Sequence, residues 1–368
     1  MFRIILALVV TVLHVYVFWR LSTVPVVFQH VPRRALIAAA VFLWAAFFLD
    51  RAIAPETGSG LGVALELWSM TWMAVLFLTA TCLLLVDGVT LFGLVLRGAA
   101  RGLRGWAVVA GLALSCLALV QGLRAPVVRE YEVRMDGLPA ELDGTVVMAL
   151  SDLHLGTVLG ESWLQARISQ IKEQKPDLIV LMGDVFEGHA LPGQALVEGL
   201  HGLYAPYGVW GVAGNHDLYA AQQAVPDVFR AAHIRLLQNA HAELCPGLVL
   251  AGVDNLSSPR DTARIPESFH NALDNRPPGA TILLSHAPVD PELAASLGTG
   301  LMLSGHTHGG QIWPFGYLVK RQFPYFVGRY EVGGMTLLVS RGAGTWGPRM
   351  RLWLPGEMLL ITLRTATG

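Results

Sequence analysis

Within its first 123 residues the chain carries four long apolar runs, and this is the feature that most restricts its fold. A bilayer span takes about 20 predominantly apolar residues. Runs 2–21, 31–49, 67–86 and 105–123 each approach that length. Arg33, Arg34 and Arg51 lie near the ends of the second run, where long side chains can reach headgroups. Trp19, Trp68 and Trp106 sit near run ends, as an aromatic belt places them. Core helices of a soluble protein rarely stay so free of charge over four successive runs, and a cleaved signal would explain only the first. Residues 1–123 are therefore expected to form a membrane region of about four helices. The rest of the 368 residues reads as a soluble α/β domain, so the average of 53% hydrophobic and 14% charged residues mixes two different regions.

Charge and cysteine content exclude several classes. The net charge is -1 and no Lys/Arg block or aromatic-interleaved basic stripe occurs, so no nucleic-acid partner is expected. Cys82 and Cys116 lie in apolar runs and Cys245 stands alone, which rules out a disulfide framework or a CxxC metal site. Orientation follows from short-loop arginines. Arg20, Arg33 and Arg34 mark the first loop and Arg97, Arg101 and Arg104 the third, whereas Arg51 in the second is diluted by Asp50, Glu56 and Glu66. Loops one and three are thus expected in the cytoplasm, and both termini with the α/β domain outside it. Arg124, Arg129 and Arg134 pull the other way.

Beyond the last run, residues 124–145 read as a connector and first strand, and 146–368 as the α/β domain. Short apolar runs at 146–150, 178–182, 209–213, 248–253, 281–284, 301–303 and 335–339 predict buried strands, most of them ending in a polar residue followed by Gly, His, Asp or Asn. Ligands of α/β sheets collect beyond strand C-termini. The residues there are Asp152 and His154, Gly183-Asp184, Gly214-Asn215-His216-Asp217, His286, and Gly305-His306-Thr307-His308-Gly309-Gly310-Gln311.

The order D-x-H, G-D, G-N-H-D, H, G-H-x-H resembles the calcineurin-like metallophosphoesterase superfamily over residues 146 to 310. The H-G-G-Q extension and the later Ser340-Arg341-Gly342-Ala343-Gly344 are similar to its membrane-associated bacterial branch. Single motifs of this kind are weak; five in order at strand ends are strong. The resemblance implies a four-layer αββα sandwich after the transmembrane region. It also implies a hydrolase that works with two divalent metal ions, for which Mn, Fe or Zn suits mixed His, carboxylate and amide ligands. Asp184 is the natural bridging carboxylate. By the resemblance Asp152, His154 and His308 complete one metal site, and Asn215, His286 and His306 the other. Such a cation pair attracts phosphate and lowers the pKa of water, supplying a nucleophile at neutral pH. His216 is expected to act on the phosphate rather than on a metal, with Asp217 orienting it.

Alone, an Asp after a strand is usually a cap or turn former, and a single His usually a packed or surface residue. Concentration of five of twelve histidines in these motifs favours the joint reading. His14, His30, His201, His233, His241 and His270 are read as structural or surface, and His189 as a cleft-lining exception. Glu187 stands where purple acid relatives carry tyrosine, and those relatives lack an equivalent of His154, so no ferric-tyrosinate colour is expected. The substrate is expected to be a phosphate ester, with a phosphodiester or a lipid-linked phosphate favoured by tethering to a lipid bilayer. The apolar stretch 312–317 is a candidate acyl-chain contact, with sandwich packing as the competing role. Two rivals remain: a non-catalytic metal-binding scaffold on a membrane anchor, and a transporter with an esterase regulator, for which His14, Glu66 at one span edge and Asp87 at another are the groups available to mark a pathway.

Overall fold

The computed structural model describes residues 2–57, 60–187 and 191–366. His189 lies outside the described residues. The chain divides into two compact units.

The first unit holds α1 (Phe2–Leu21), α2 (Pro25–His30), α3 (Arg33–Thr57), α4 (Gly60–Val89) and α5 (Arg97–Leu123). It also takes up two short excursions from the later chain, Ile312–Pro314 and Gly347–Trp353. Each of the four expected runs lies on a long helix. Among the described residues, Gly62–Val89 and Arg97–Leu123 are long and apolar enough to cross a membrane, and Ile5–Leu21 is a shorter apolar helix. His14 Nε2 bonds the Ala40 carbonyl at 2.9 Å and Trp44 Nε1 donates to Thr11 Oγ1 at 3.0 Å, so α1 and α3 run antiparallel. Helices α4 and α5 are antiparallel too, and closely packed: a Cβ on Gly111 would fall 2.6 Å from the Thr79 Cα. Val10, Val17, Phe47, Leu76, Leu83 and Ala107 form the common core. Among the described residues the acid buried there is Asp87, which is neutralised by Arg20 Nε at 2.6 Å and Arg104 Nε at 3.0 Å, and Tyr16 donates to it at 2.7 Å. That arrangement reads as an internal lock rather than an ion path.

The second unit holds twelve described strands: β1 (Val127–Met135), β2 (Val146–Leu150), β3 (Leu178–Met182), β4 (Val209–Val212), β5 (Arg235–Leu236), β6 (Ala240–Cys245), β7 (Gly247–Gly252), β8 (Gly279–Leu284), β9 (Leu301–Ser304), β10 (Gly328–Val332), β11 (Met335–Val339) and β12 (Glu357–Thr365). They build two six-stranded sheets, ordered β1-β12-β2-β3-β4-β5 and β10-β11-β9-β8-β7-β6. Strands β2, β3 and β4 are mutually parallel, as are β7, β8, β9 and β11, which brings their C-terminal ends to one edge of each sheet. Val147, Val180 and Val212 of one sheet meet Leu250, Ile282 and Leu303 of the other in a shared apolar layer. The outer faces are covered on one side by α6 (Glu161–Glu173), α7 (Gln194–Gly199), α8 (Asn215–Ala221) and α9 (Val225–Ala231) and on the other by α10 (Ile265–Leu273) and α11 (Pro291–Ser296), followed by α12 (Gly316–Gln322). This is the expected four-layer αββα sandwich. Strands buried on both faces need continuous apolar runs rather than alternation; Leu178–Met182 and Met335–Val339 are buried throughout.

Candidate metal centre

Sharp turns follow the parallel strands, and the polar side chains they carry converge. Asp152, His154, Asp184, His306 and His308 all adopt φ between 47° and 68°. Left-handed backbone is costly for residues with a Cβ, of order 1–3 kcal/mol each, and persists where the surroundings impose it. Two glycines make room. A Cβ on Gly214 would lie 2.1 Å from Asp184 Oδ1, and one on Gly305 would lie 1.7 Å from Ser151 Oγ. The segment 340–344 supports the first turn, since Ala343 and Gly344 donate backbone N–H groups to the carbonyls of Ser151 and Asp152 at 2.9 Å.

Three overlapping triplets result: Asp152, His154 and His308; His154, Asp184 and His216; Asp184, His286 and His306. Within them His154 Nε2 lies 3.1 Å from His308 Nε2, and His308 Nε2 3.3 Å from Asp152 Oδ1. On the other side His286 Nε2 lies 3.2 Å from Asp184 Oδ2 and 3.2 Å from His306 Nδ1. The His286 ring shows whether cations fit. Its Nδ1 donates to the Met182 carbonyl at 2.8 Å, so the neutral ring turns the lone pair of Nε2 toward the Asp184 carboxylate. Two electron pairs face each other there unless a proton or a cation lies between. Burial opposes protonation of His286, but Asp184 raises its pKa to about 9, so a proton takes that place when no cation does. Burial likewise resists ionisation of Asp152 and Asp184, yet His308 holds the first, and His286 the second, below the usual carboxylate range. His306 is pushed down to about 3 by burial and then by His286, which leaves its ring neutral. Ionised carboxylates and neutral imidazoles around common points make a donor set for divalent cations.

The other expected site residues are placed as follows. Asn215 begins α8, where its Nδ2 bonds the Tyr219 hydroxyl at 3.3 Å and its Oδ1 lies 3.5 Å from Ser257 Oγ. His216 donates its backbone N–H to Asp184 Oδ1 at 2.8 Å, and its ring lies 4.8 Å from that of His154. Among the described residues Asp217 makes no hydrogen bond to the His216 ring. Its carboxylate accepts the backbone N–H groups of Gly214 at 2.8 Å, Phe186 at 2.9 Å and Val185 at 3.3 Å, tying two ligand loops together. Burial, then Asp184, raises its pKa to about 6.

The group facing His216 is Glu187. It lies 3.1 Å from His216 Nδ1, and it also bonds His154 Nδ1 in a short contact. Burial alone would raise Glu187, but hydrogen bonds from His154 and then His216 hold it down to about 2. Its signal in the sequence was its place three residues after Asp184, read there only as a departure from tyrosine. Gln311 is the second addition. Its amide bonds the Trp346 backbone twice, at 2.9 Å each, and the Trp346 ring lies 6.1 Å from that of His216.

Residues 145–310 match the family model described as calcineurin-like phosphoesterase. An uncharacterised metallophosphoesterase of Campylobacter jejuni is 32% identical over 260 residues, 70% of this chain and 68% of that protein. The chain belongs to the calcineurin-like metallophosphoesterase family. An uncharacterised metallophosphoesterase of Aquifex aeolicus is 33% identical over 240 residues, 64% of this chain and 91% of the relative. A Danio rerio transmembrane protein with metallophosphoesterase domain is 31% identical over 277 residues, 71% of this chain and 62% of that relative. The metallophosphoesterase domain of this chain therefore has the five motifs, the αββα sandwich and the convergent donor set together.

Proposed function

We propose that the chain is a membrane-anchored phosphoesterase that holds two divalent cations, Mn, Fe or Zn, and hydrolyses a phosphodiester or a lipid-linked phosphate. The observation that carries this reading is the pair of donor sets on either side of Asp184, whose Oδ2 lies 3.2 Å from His286 Nε2 and 3.8 Å from His154 Nε2. Asp152, His154 and His308 would hold one cation and His286 and His306 the other, with Asp184 between; Asn215 would join the second set by turning its amide oxygen inward. Bound there, the cations would acidify water and neutralise phosphate charge. The chain's own residues do the rest. With Nδ1 directed at Glu187, the His216 ring presents Nε2 for a proton to a departing oxygen or for charge on the phosphate. The same carboxylate keeps the proton of His154 on Nδ1 and so leaves Nε2 as the ligand atom.

A lipid-linked substrate is supported by apolar surface. The rings of Tyr219 and Trp346 flank His216, and Phe315, Tyr317 and Leu318 are exposed where α12 begins beside His308–Gly310. Ile312 and Trp313 are not available for this, since they pack with Ala74, Leu78, Ala118, Met350 and Leu352 in the first unit. The helical region would span the bilayer with α1, α3, α4 and α5, and the loop arginines favour the catalytic domain outside the cytoplasm. Hydrolysis of an aryl phosphodiester and its matching monoester, with and without Mn²⁺, tests the enzymatic reading. Metal-stimulated turnover of the diester is expected; no turnover of either would leave a metal-binding scaffold.

A further inference from the structure

The end of the helical bundle remote from Leu123 combines three features that the phosphoesterase reading does not use. The first is a set of bare apolar loops. Val26, Phe28 and Val31 in and after α2, Val89 at the end of α4, and Leu91, Phe92, Leu94 and Leu96 between α4 and α5, are all exposed. The second is an excess of one charge. Six arginines, at 20, 33, 34, 97, 101 and 104, share residues 15–36 and 87–104 with a single acid, Asp87. Arg20 and Arg104 are committed to that acid, while Arg33, Arg34, Arg97 and Arg101 are exposed and form no ion pair among the described residues.

The third feature is that this end is built rather than slack. Leu91, Phe92 and Leu96 hold φ of 45°, 58° and 54°, a conformation side chains rarely adopt. Arg104 Nη2 pins the turn by donating to the Phe92 carbonyl at 3.1 Å, and the Arg20 guanidinium lies 5.4 Å from the Phe92 ring and 3.8 Å from the Trp19 ring. The buried Arg20–Asp87–Arg104 cluster thus fixes the backbone that pushes apolar side chains outward next to exposed arginines that have no acidic partner among the described residues, Arg97 donating its Nε to the Leu94 carbonyl at 3.1 Å. Apolar side chains at that position want acyl chains, and guanidinium groups a few residues away want phosphate oxygens.

We propose that this end of the bundle is an interfacial surface that holds anionic phospholipid headgroups, with Arg97 and Arg101 on one loop and Arg33 and Arg34 on the other as the phosphate-binding groups. The proposal rests on the membrane-anchored reading and adds headgroup class to it. Charge complementarity selects the occupant: a zwitterionic lipid offers the same acyl chains, yet its ammonium group is repelled by the same arginines.

Native mass spectrometry of the detergent-purified full chain, titrated with phosphatidylglycerol or with phosphatidylcholine of equal chain length, tests it. Phosphatidylglycerol should bind at least about tenfold more tightly, and the Arg97→Gln/Arg101→Gln variant should lose on the order of 30-fold of that binding while its phosphatidylcholine binding stays unchanged. Free glycerol phosphate should compete poorly, because it lacks the acyl chains. Aryl ester hydrolysis serves as the folding control, and Arg33→Gln/Arg34→Gln provides a second variant on the opposite loop. Equal binding of the two lipids, or full phosphatidylglycerol binding by both variants, overturns the proposal. Recovery of the chain in the soluble fraction without detergent would instead overturn the membrane reading beneath it.

Discussion

Glu187 stands between His154 and His216, accepting from Nδ1 of the first and lying 3.1 Å from Nδ1 of the second. One carboxylate thereby fixes which nitrogen of each ring faces the candidate metal centre. A carboxylate behind a metal-bound imidazole typically sets metal affinity or activity by 10- to 100-fold. Glu187→Gln should therefore weaken metal retention at the His154 side by about that factor and also lower kcat, because it disturbs two rings. Metal analysis after dialysis, combined with kcat at saturating Mn²⁺, checks this. Loss of kcat with unchanged metal retention would confine Glu187 to His216.

His216→Ala should retain both cations yet lose kcat on the order of 10²- to 10⁴-fold. For a proton donor the loss should shrink with an aryl leaving group, which departs as a stable anion, and grow with an alkyl ester. Equal losses on both substrates would assign the ring to phosphate charge instead. His216 also completes a triplet with His154 and Asp184. Depleted metal in the purified variant would make it a ligand.

Asp217→Asn tests the role the geometry gives Asp217, which is to gather three backbone N–H groups rather than to orient His216. An amide offers one acceptor oxygen and turns an NH₂ toward donors, at a cost of about 1–3 kcal/mol for each group left unsatisfied. Thermal unfolding of the detergent-purified variant should shift down by several degrees. Unchanged stability with altered leaving-group dependence would restore the direct link to His216.

Strand positions and most of the site were legible because both depend on local pattern. Val146–Leu150, Leu178–Met182 and Met335–Val339 are strands with the expected bounds, since parallel strands buried on both faces read as near-continuous apolar runs, broken here only by Thr336. Edge strands β6 and β10 are half polar and gave no such signal. Strand β12 is apolar, but it runs antiparallel to β2, so no ligand motif follows its C-terminal end. Glu187 was visible as a residue but not as a partner, because its two histidines come from turns 33 and 29 positions away. The excursions Ile312–Pro314 and Gly347–Trp353 into the first unit were not legible at all; their apolar residues look like any other loop packing.

Topology has its own test. A reporter fused after Gly368 that is active only outside the cytoplasm should be active, given the arginines of the first and third loops. Activity of a cytoplasm-only reporter at that position would reverse the orientation and leave the proposed metal ligands untouched.

The most direct measurement is the metal content of purified wild-type chain beside Asp184→Ala, His154→Ala and His286→Ala, each reconstituted with Mn²⁺ and desalted. Two equivalents are expected for the wild type, close to none for Asp184→Ala, and about one for each histidine variant, because Asp184 Oδ2 lies 3.2 Å from His286 Nε2 and 3.8 Å from His154 Nε2, between the two proposed donor sets. Full occupancy in Asp184→Ala would contradict a dinuclear centre bridged by that residue.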